Sequence, residues 1–166
     1  VKEAEKELAE EIEFYRFQQY CFTTQWRKLK AYANKKGISI IGDVPIYVAL
    51  DSSDAWANPE MLQFDEDYDP KAVAGCPPDA FSATGQLWGN PLFDWMALKK
   101  DGYGWWVQRM THCMELYDVV RIDHFRGFDE YYAIPYGDKT AERGKWEKGP
   151  VMDLIHTLDI KIKDIR

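Results

Sequence analysis

Apolar positions recur at helical spacing from the start of the chain. Over residues 2–22, Leu8, Ile12, Tyr15 and Gln19 share one helix face, while Glu3, Glu7, Glu10 and Glu11 take solvated positions. A second helix is expected in TTQWRKLKAYANKKG: Thr23 or Thr24 can cap it, Trp26, Leu29 and Ala33 line one side, and Gly37 ends it. The pattern then changes. ISIIG at 38–42 is a continuous apolar run, as in a parallel strand buried on both faces, and Asp43 stands at its carboxyl end. Residues 44–92 show little regular patterning and are punctuated by Pro45, Pro59, Pro70, Pro77, Pro78 and Pro91. A connection of that length is usually functional when it occurs. Helical spacing resumes over 92–99, breaks at Gly102 and Gly104, and returns over 105–117 with Met110, Cys113, Met114 and Tyr117 as its buried face. YDVVRIDHF then predicts a second buried strand with Asp123 at its end.

Helix, strand, long loop, helix, strand is the order of an α/β protein with parallel strands and active-site loops at their carboxyl ends. Two parallel strands can neither close a barrel nor cover both faces of a sheet. Together with an opening at Val1 in mid-pattern, this predicts that residues 1–166 are a fragment of one larger catalytic domain. Its unpaired strand edges would favour self-association.

Charge and composition narrow the partners. The formal net charge is -7, and such a surface repels phosphate backbones, so no nucleic-acid partner is expected. No apolar run has membrane-spanning length, and no charged start leads into an apolar signal core. Cys21, Cys76 and Cys113 are scattered and form no CxxC pair, which predicts a reducing, cytoplasmic setting. His112, His124 and His156 share no ligand spacing, so neither metal nor cofactor is expected. Aromatic residues reach 15%, including seven Trp and ten Tyr. Most belong in a core. Many nevertheless lie in Pro- and Gly-rich stretches, and flat rings with a polar edge suit sugars.

The chemistry concentrates in YDVVRIDHFRG. Strand alternation puts Arg121 and Asp123 on one side, and a guanidinium two residues away favours an ionised carboxylate. An ionised, oriented carboxylate is what attack at an anomeric carbon requires. The bland alternative is an ordinary Arg–Asp pair within a sheet. His124 is placed to donate a hydrogen bond to a substrate hydroxyl, and Asp43 either orients Arg121 or caps the next turn. Two further readings stand beside this one. The chain could be a non-catalytic, aromatic-rich carbohydrate-binding module, or part of a metal-dependent barrel hydrolase with Asp43, Asp123 and His124 as ligands.

GDVPIYVALDSSDAWANPEMLQFD, GCPPDAFSATGQLWGNPLFDW and YDVVRIDHFRGFDEYYAIPYGDKTAERGKWEKGP resemble, in that order, motifs of the 4-alpha-glucanotransferases, or amylomaltases, of the alpha-amylase clan. The likeness covers most of the chain and is firmest from Gly37 to Pro150. It implies a (β/α)8 TIM barrel of which this chain supplies about strands 3–4 and an inserted loop or helical region at 44–92. It also implies transfer of a segment of an α-1,4-glucan to a new 4-position by retaining double displacement, with maltooligosaccharides and other α-1,4-glucans as partners. By the resemblance Asp123 is the nucleophile, Arg121 the arginine that holds it, and His124 a contact to the transferred sugar. Asp43 is the acid ending the third strand, and Asp79, Phe81 and Trp88 belong to a lid at 75–88. Ala80 departs from the aromatic that many relatives carry after PPD. The family's general acid, a Glu in an AEDLG-type motif, and its third carboxylate are expected beyond Arg166, so the isolated chain is expected to be inactive.

Overall fold

The computed structural model describes residues 2–162. Val1 and residues 163–166, where the approach to a further strand is expected, lie outside the described residues. The chain divides into two compact units, one built on residues up to Gly42 with His112–Arg121, the other on Asp43–Thr111 with residues from Ile122 onward.

In the first unit, helices α1 (Lys2–Glu7) and α2 (Ala9–Lys35) replace the two helices expected to meet at Thr23. Residues 9–35 contain neither Gly nor Pro, and two threonines inside a helix cost only a few tenths of a kcal/mol each. The expected stop at Gly37 is present. Gly37 lies at φ +76, its N–H donates to Asn34 O, and the Ile38 N–H donates to Ala33 O, the paired bonds of a Schellman ending. The face assigned to Leu8, Ile12 and Tyr15 is not a core face: α2 has no buried residue, and Leu8 and Tyr15 are exposed. The carboxyl-terminal half of α2 is tethered to the residues around the end of α5. Trp26 Nε1 donates to Leu116 O (2.8 Å) and packs edge-on against Tyr117, while Lys30 Nζ donates to Glu115 O and Tyr117 O.

The two strands framing the proposed chemistry are β1 (Ile41–Val44) and β4 (Val119–Ile122), neighbours in a two-stranded sheet. Val119 N–H bonds Ile40 O and Asp123 N–H bonds Val44 O, so both strands advance in the same direction. The parallel pairing matches the sequence expectation, but burial on both faces does not. Along β1 exposure alternates, with Gly42 and Val44 in and Ile41 and Asp43 out, and β4 alternates between exposed and half-buried positions. Too few strands flank the pair to bury a second face.

The second unit departs most from the pattern reading. Residues 44–92 carry α3 (Ser53–Ala57), a 3-10 turn at Pro59–Met61, β2 (Ala72–Cys76) and β3 (Gln86–Pro91). With β5 (Glu130–Pro135) and β6 (Lys145–Lys148) these strands form an antiparallel sheet in the order β3-β2-β5-β6. The strands are short and interrupted by proline, which hides their two-residue period. Gly75 is required where β2 meets β3, since a Cβ there would lie 2.1 Å from Gln86 O. Val73, Tyr132, Ile134 and Ala141 pack together in this part of the unit, and Tyr132 Oη donates to Ala141 O.

Helices α4 (Trp95–Lys100), α5 (Gly104–Leu116) and α6 (Val151–Lys161) complete the chain's elements. Asp94 caps α4 by accepting from Met96 and Ala97 N–H. Asp101 accepts from Gly104 N–H at the break before α5. An aromatic core forms from Phe93, Trp95, Trp105, Trp106 and Phe128, with Trp106 fully buried 5.4 Å from Phe93 and 5.0 Å from Phe128. Part of the aromatic excess is therefore structural, while rings such as Phe14, Tyr15, Trp56 and Phe81 are exposed. Met110 is buried as expected on α5, whereas Cys113, Met114 and Tyr117 are half-buried.

In the first unit Asp118 closes the α2-to-β1 turn. Its Oδ2 accepts from Ile40 N–H (2.8 Å) and Asn34 Nδ2 (2.7 Å), and these bonds lower its pKa below the usual carboxylate value. A carboxylate with a depressed folded-state pKa stabilises above its unfolded pKa and loses that contribution as pH falls through the folded value. Asp118→Asn should lower the melting temperature at pH 7, and the deficit should shrink as pH falls below about 4, the range where an unperturbed Asp titrates. Thermal melts of both proteins across that range check this.

Candidate active site

The site is built outward from the segment that follows β1. Asp43 is exposed, but Val44, Ile46, Tyr47 and Val48 are all buried, so the chain leaves β1 pressed against the second unit's core. Three polar ties hold it. Val44 O accepts from Asp123 N–H (2.9 Å), Ile46 O from Arg109 Nη1 (3.3 Å), and Val48 O from Asn90 Nδ2 (2.9 Å). The Arg109 guanidinium carbon itself lies over the Trp105 and Trp106 rings, 5.0 and 5.2 Å from their centroids.

Asp123 is exposed just past β4, and His124 follows in the left-handed region at φ 53, ψ 44. That conformation is uncommon for a residue with a side chain and turns the backbone sharply. His124 O accepts from Gly127 N–H, opening a 3-10 turn at Phe125–Phe128. The turn closes tightly: a Cβ on Gly127 would lie 2.8 Å from Ile46 Cδ1, 3.2 Å from His124 Cδ2 and 3.3 Å from Tyr47 Oη.

The indole of Trp88, on β3, meets the His124 ring edge to face at 4.9 Å and 88°. Trp88 also neighbours Tyr47 at 6.3 Å and donates through Nε1 to Gln86 Oε1. Burial lowers the His124 pKa against the upward pull of Asp123, and Arg126 adds to the lowering. The lowering favours the neutral imidazole, which has one nitrogen to donate and one to accept.

The structure thus gathers three predicted residues, Asp123, His124 and Trp88, in the second unit. Asp43 precedes the carbonyl that holds Asp123. Arg121 is exposed on β4, two residues before Asp123. Asp79 and Phe81 lie in the connection between β2 and β3. Gly75 pairs with Leu87 and Cys76 with Gln86, so both ends of the expected 75–88 lid are strand and the loop itself is 77–85. Asp79 Oδ1 accepts from the Phe81 and Ser82 N–H groups (both 2.8 Å), and Ser82 Oγ donates to Gly85 O. Phe81 is 99% exposed, with Ala80 exposed beside it. Sequence patterning missed Tyr47, Asn90, Arg109 and Gly127. The PIYV run was a signal for the first, an apolar stretch inside a supposed loop.

Among the described residues no three His, Cys, Asp or Glu side chains gather closely enough to hold a metal ion. No described helix is long and apolar enough to cross a membrane.

Comparison with known proteins decides the family. Residues 1–165 match the family model of glycoside hydrolase family 77, 4-alpha-glucanotransferase. The chain belongs to the 4-alpha-glucanotransferase family. It is 53% identical to the 4-alpha-glucanotransferase of Clostridium butyricum over 166 residues, 99% of this chain and 34% of that protein. Against the Thermus thermophilus 4-alpha-glucanotransferase identity is 51% over 150 residues, 90% of this chain and 30% of the relative. Among solved structures it is similar to the amylomaltase of Streptococcus agalactiae in complex with acarbose, with a TM-score of 0.94, 43% identity, and coverage of 99% of this chain and 34% of that one. The chain therefore spans about a third of the length of the curated relatives it matches. Its mixed helix-and-strand architecture follows that of the amylomaltase and is not the β-sandwich that a separate carbohydrate-binding module would call for.

The Trp88–His124 contact generates a direct expectation. Trp88→Ala should admit water to the imidazole and raise its pKa toward the ordinary histidine value. An NMR titration of the His124 ring protons checks this, and an unchanged midpoint would remove Trp88 as the source of the burial.

Proposed function

We propose that this chain carries the nucleophile half of a retaining 4-alpha-glucanotransferase site, with Asp123 as the attacking carboxylate. The observation that carries the reading is the placement of Asp123: exposed at the carboxyl end of a parallel strand, beside a half-buried histidine whose ring meets the Trp88 indole, in a chain of this family. In barrel folds, acids at that end of a strand tend to be catalytic. On this reading β1 and β4 are about the third and fourth strands of a (β/α)8 barrel, and β2, β3 and the 77–85 loop are the insertion between them.

The substrates proposed are α-1,4-glucans such as maltooligosaccharides. The names of the relatives and the acarbose bound to the Streptococcus agalactiae enzyme support that class. Asp123 attacks the anomeric carbon, and the bond from C1 to the leaving 4-oxygen breaks as a Glu beyond this chain protonates that oxygen. The 4-hydroxyl of an acceptor glucan then attacks C1, gives its proton to the same Glu, and releases the Asp123 carboxylate. Retention by this route requires the two carboxyl groups about 5 Å apart. Arg121 is assigned to keeping Asp123 charged, His124 and Asp43 to sugar hydroxyls, and Asp79, Phe81 and Trp88 to covering the bound chain. Exclusion of water during the covalent stage favours the sugar acceptor.

In the complete enzyme, Asp123→Asn should cut glucan transfer by at least about a thousand-fold while glucan binding persists, as expected for loss of a covalent nucleophile. Disproportionation of maltotriose and a binding isotherm measure the two quantities, and near-normal transfer would reject the assignment. Trp88→Ala should raise the ratio of hydrolysis to transfer, read from reducing ends against chain-length redistribution. An unaltered ratio would remove Trp88 from the water-excluding cover.

A further inference from the structure

We propose that Tyr47 and Asn90 are positioning residues that hold Trp88 and the Asp123–His124 turn in one fixed arrangement at the sugar-facing surface. The inference rests on the reading of Asp123 and His124 as groups that meet the glucan.

Two contacts fix the register of the same pair of segments. The Tyr47 ring meets Trp88, and one residue later Val48 O accepts from the side chain of Asn90, two residues beyond Trp88 on β3. Tyr47 also stacks on Phe93 at 6.2 Å and 22°, and Phe93 is 1% exposed in the aromatic core. Rigid packing is thereby passed to an indole that is 37% exposed. On its other side Tyr47 Oη crowds the Gly127 position that His124 Cδ2 also crowds, so one side chain borders both Trp88 and the turn that follows His124. Val44 O completes the link by holding the Asp123 amide at the far end of the same segment. Burial pushes the Tyr47 phenol far above its ordinary pKa, so it stays neutral and brings no charge to the histidine.

The experiment uses Asn90→Ala, Tyr47→Leu and the conservative Tyr47→Phe in the complete enzyme, each checked for a cooperative melt. NMR titration of His124 should show its midpoint moved up in Asn90→Ala and Tyr47→Leu, because a loosened Trp88 admits water while the other groups acting on the ring, Asp123 and Arg126, are unaltered. The kcat for maltotriose disproportionation should fall about ten- to a hundred-fold with KM within about three-fold, since misplacing a reacting group acts on the transition state. Tyr47→Phe, which keeps the ring, should recover most of both effects. An unmoved His124 titration in folded Asn90→Ala and Tyr47→Leu would overturn the proposal. A moved titration with unchanged kcat would uphold the positioning and reject the catalytic reading of the turn. If Tyr47→Leu fails to fold, Asn90→Ala decides alone, because it removes one hydrogen bond from a half-buried side chain.

Discussion

The second unit depends on one buried ring. Phe93 lies within 6.2 Å of Tyr47, Trp95, Trp105 and Trp106, and its backbone bridges to Leu62. Through these neighbours it reaches α4, α5 and the segment after β1. Edge-to-face and tilted rings at such spacings add about 0.5–1.5 kcal/mol per pair beyond the area they bury. The greater consequence is geometric. Interlocked rings have few alternative packings, so the segment resting on them has one course, and that course delivers the Val44 carbonyl to the Asp123 amide.

This arrangement explains why aromatic composition was an ambiguous guide. Trp95 and Trp106 look inward, and Arg109 lies over two indole rings and donates to a carbonyl. Trp88 and Phe81 remain open to solvent to different degrees, 37% and 99%. No count of tryptophans separates these two populations. Their separation comes from tertiary contacts, above all from whether a ring meets Phe93 or its immediate neighbours.

The same distinction governs what was legible beforehand. The Schellman ending at Gly37, the parallel pairing of the two strand segments and the break before α5 were readable, because each rests on local chemistry such as a left-handed glycine or a continuous apolar run. Thr23 and Thr24 misled, since a residue that can cap a helix can also sit inside one. The antiparallel sheet was invisible because Ala72–Cys76 and Gln86–Pro91 are too short and too rich in Gly and Pro to show a period. At the site, Asp123 and His124 were named from their place at a strand end, and Trp88 through motif resemblance. Tyr47, Asn90 and Gly127 were not, because a side chain that supports another carries no chemistry of its own to recognise.

The 77–85 loop is fastened as well as short. Thr84 O accepts from Ala141 N–H, and Gly85 sits at φ +70 with the Cys76 carbonyl so near that a side chain there would collide with it. A loop pinned at its base between paired strands has little freedom to swing as a flap. Its adjustable parts are instead its outward side chains, foremost the phenyl group of Phe81, and rotamer hops of exposed side chains take picoseconds to nanoseconds against the microseconds or longer of hinged closures. Under the proposed function, such side-chain motion would cover and uncover a bound glucan without a hinged movement of the backbone.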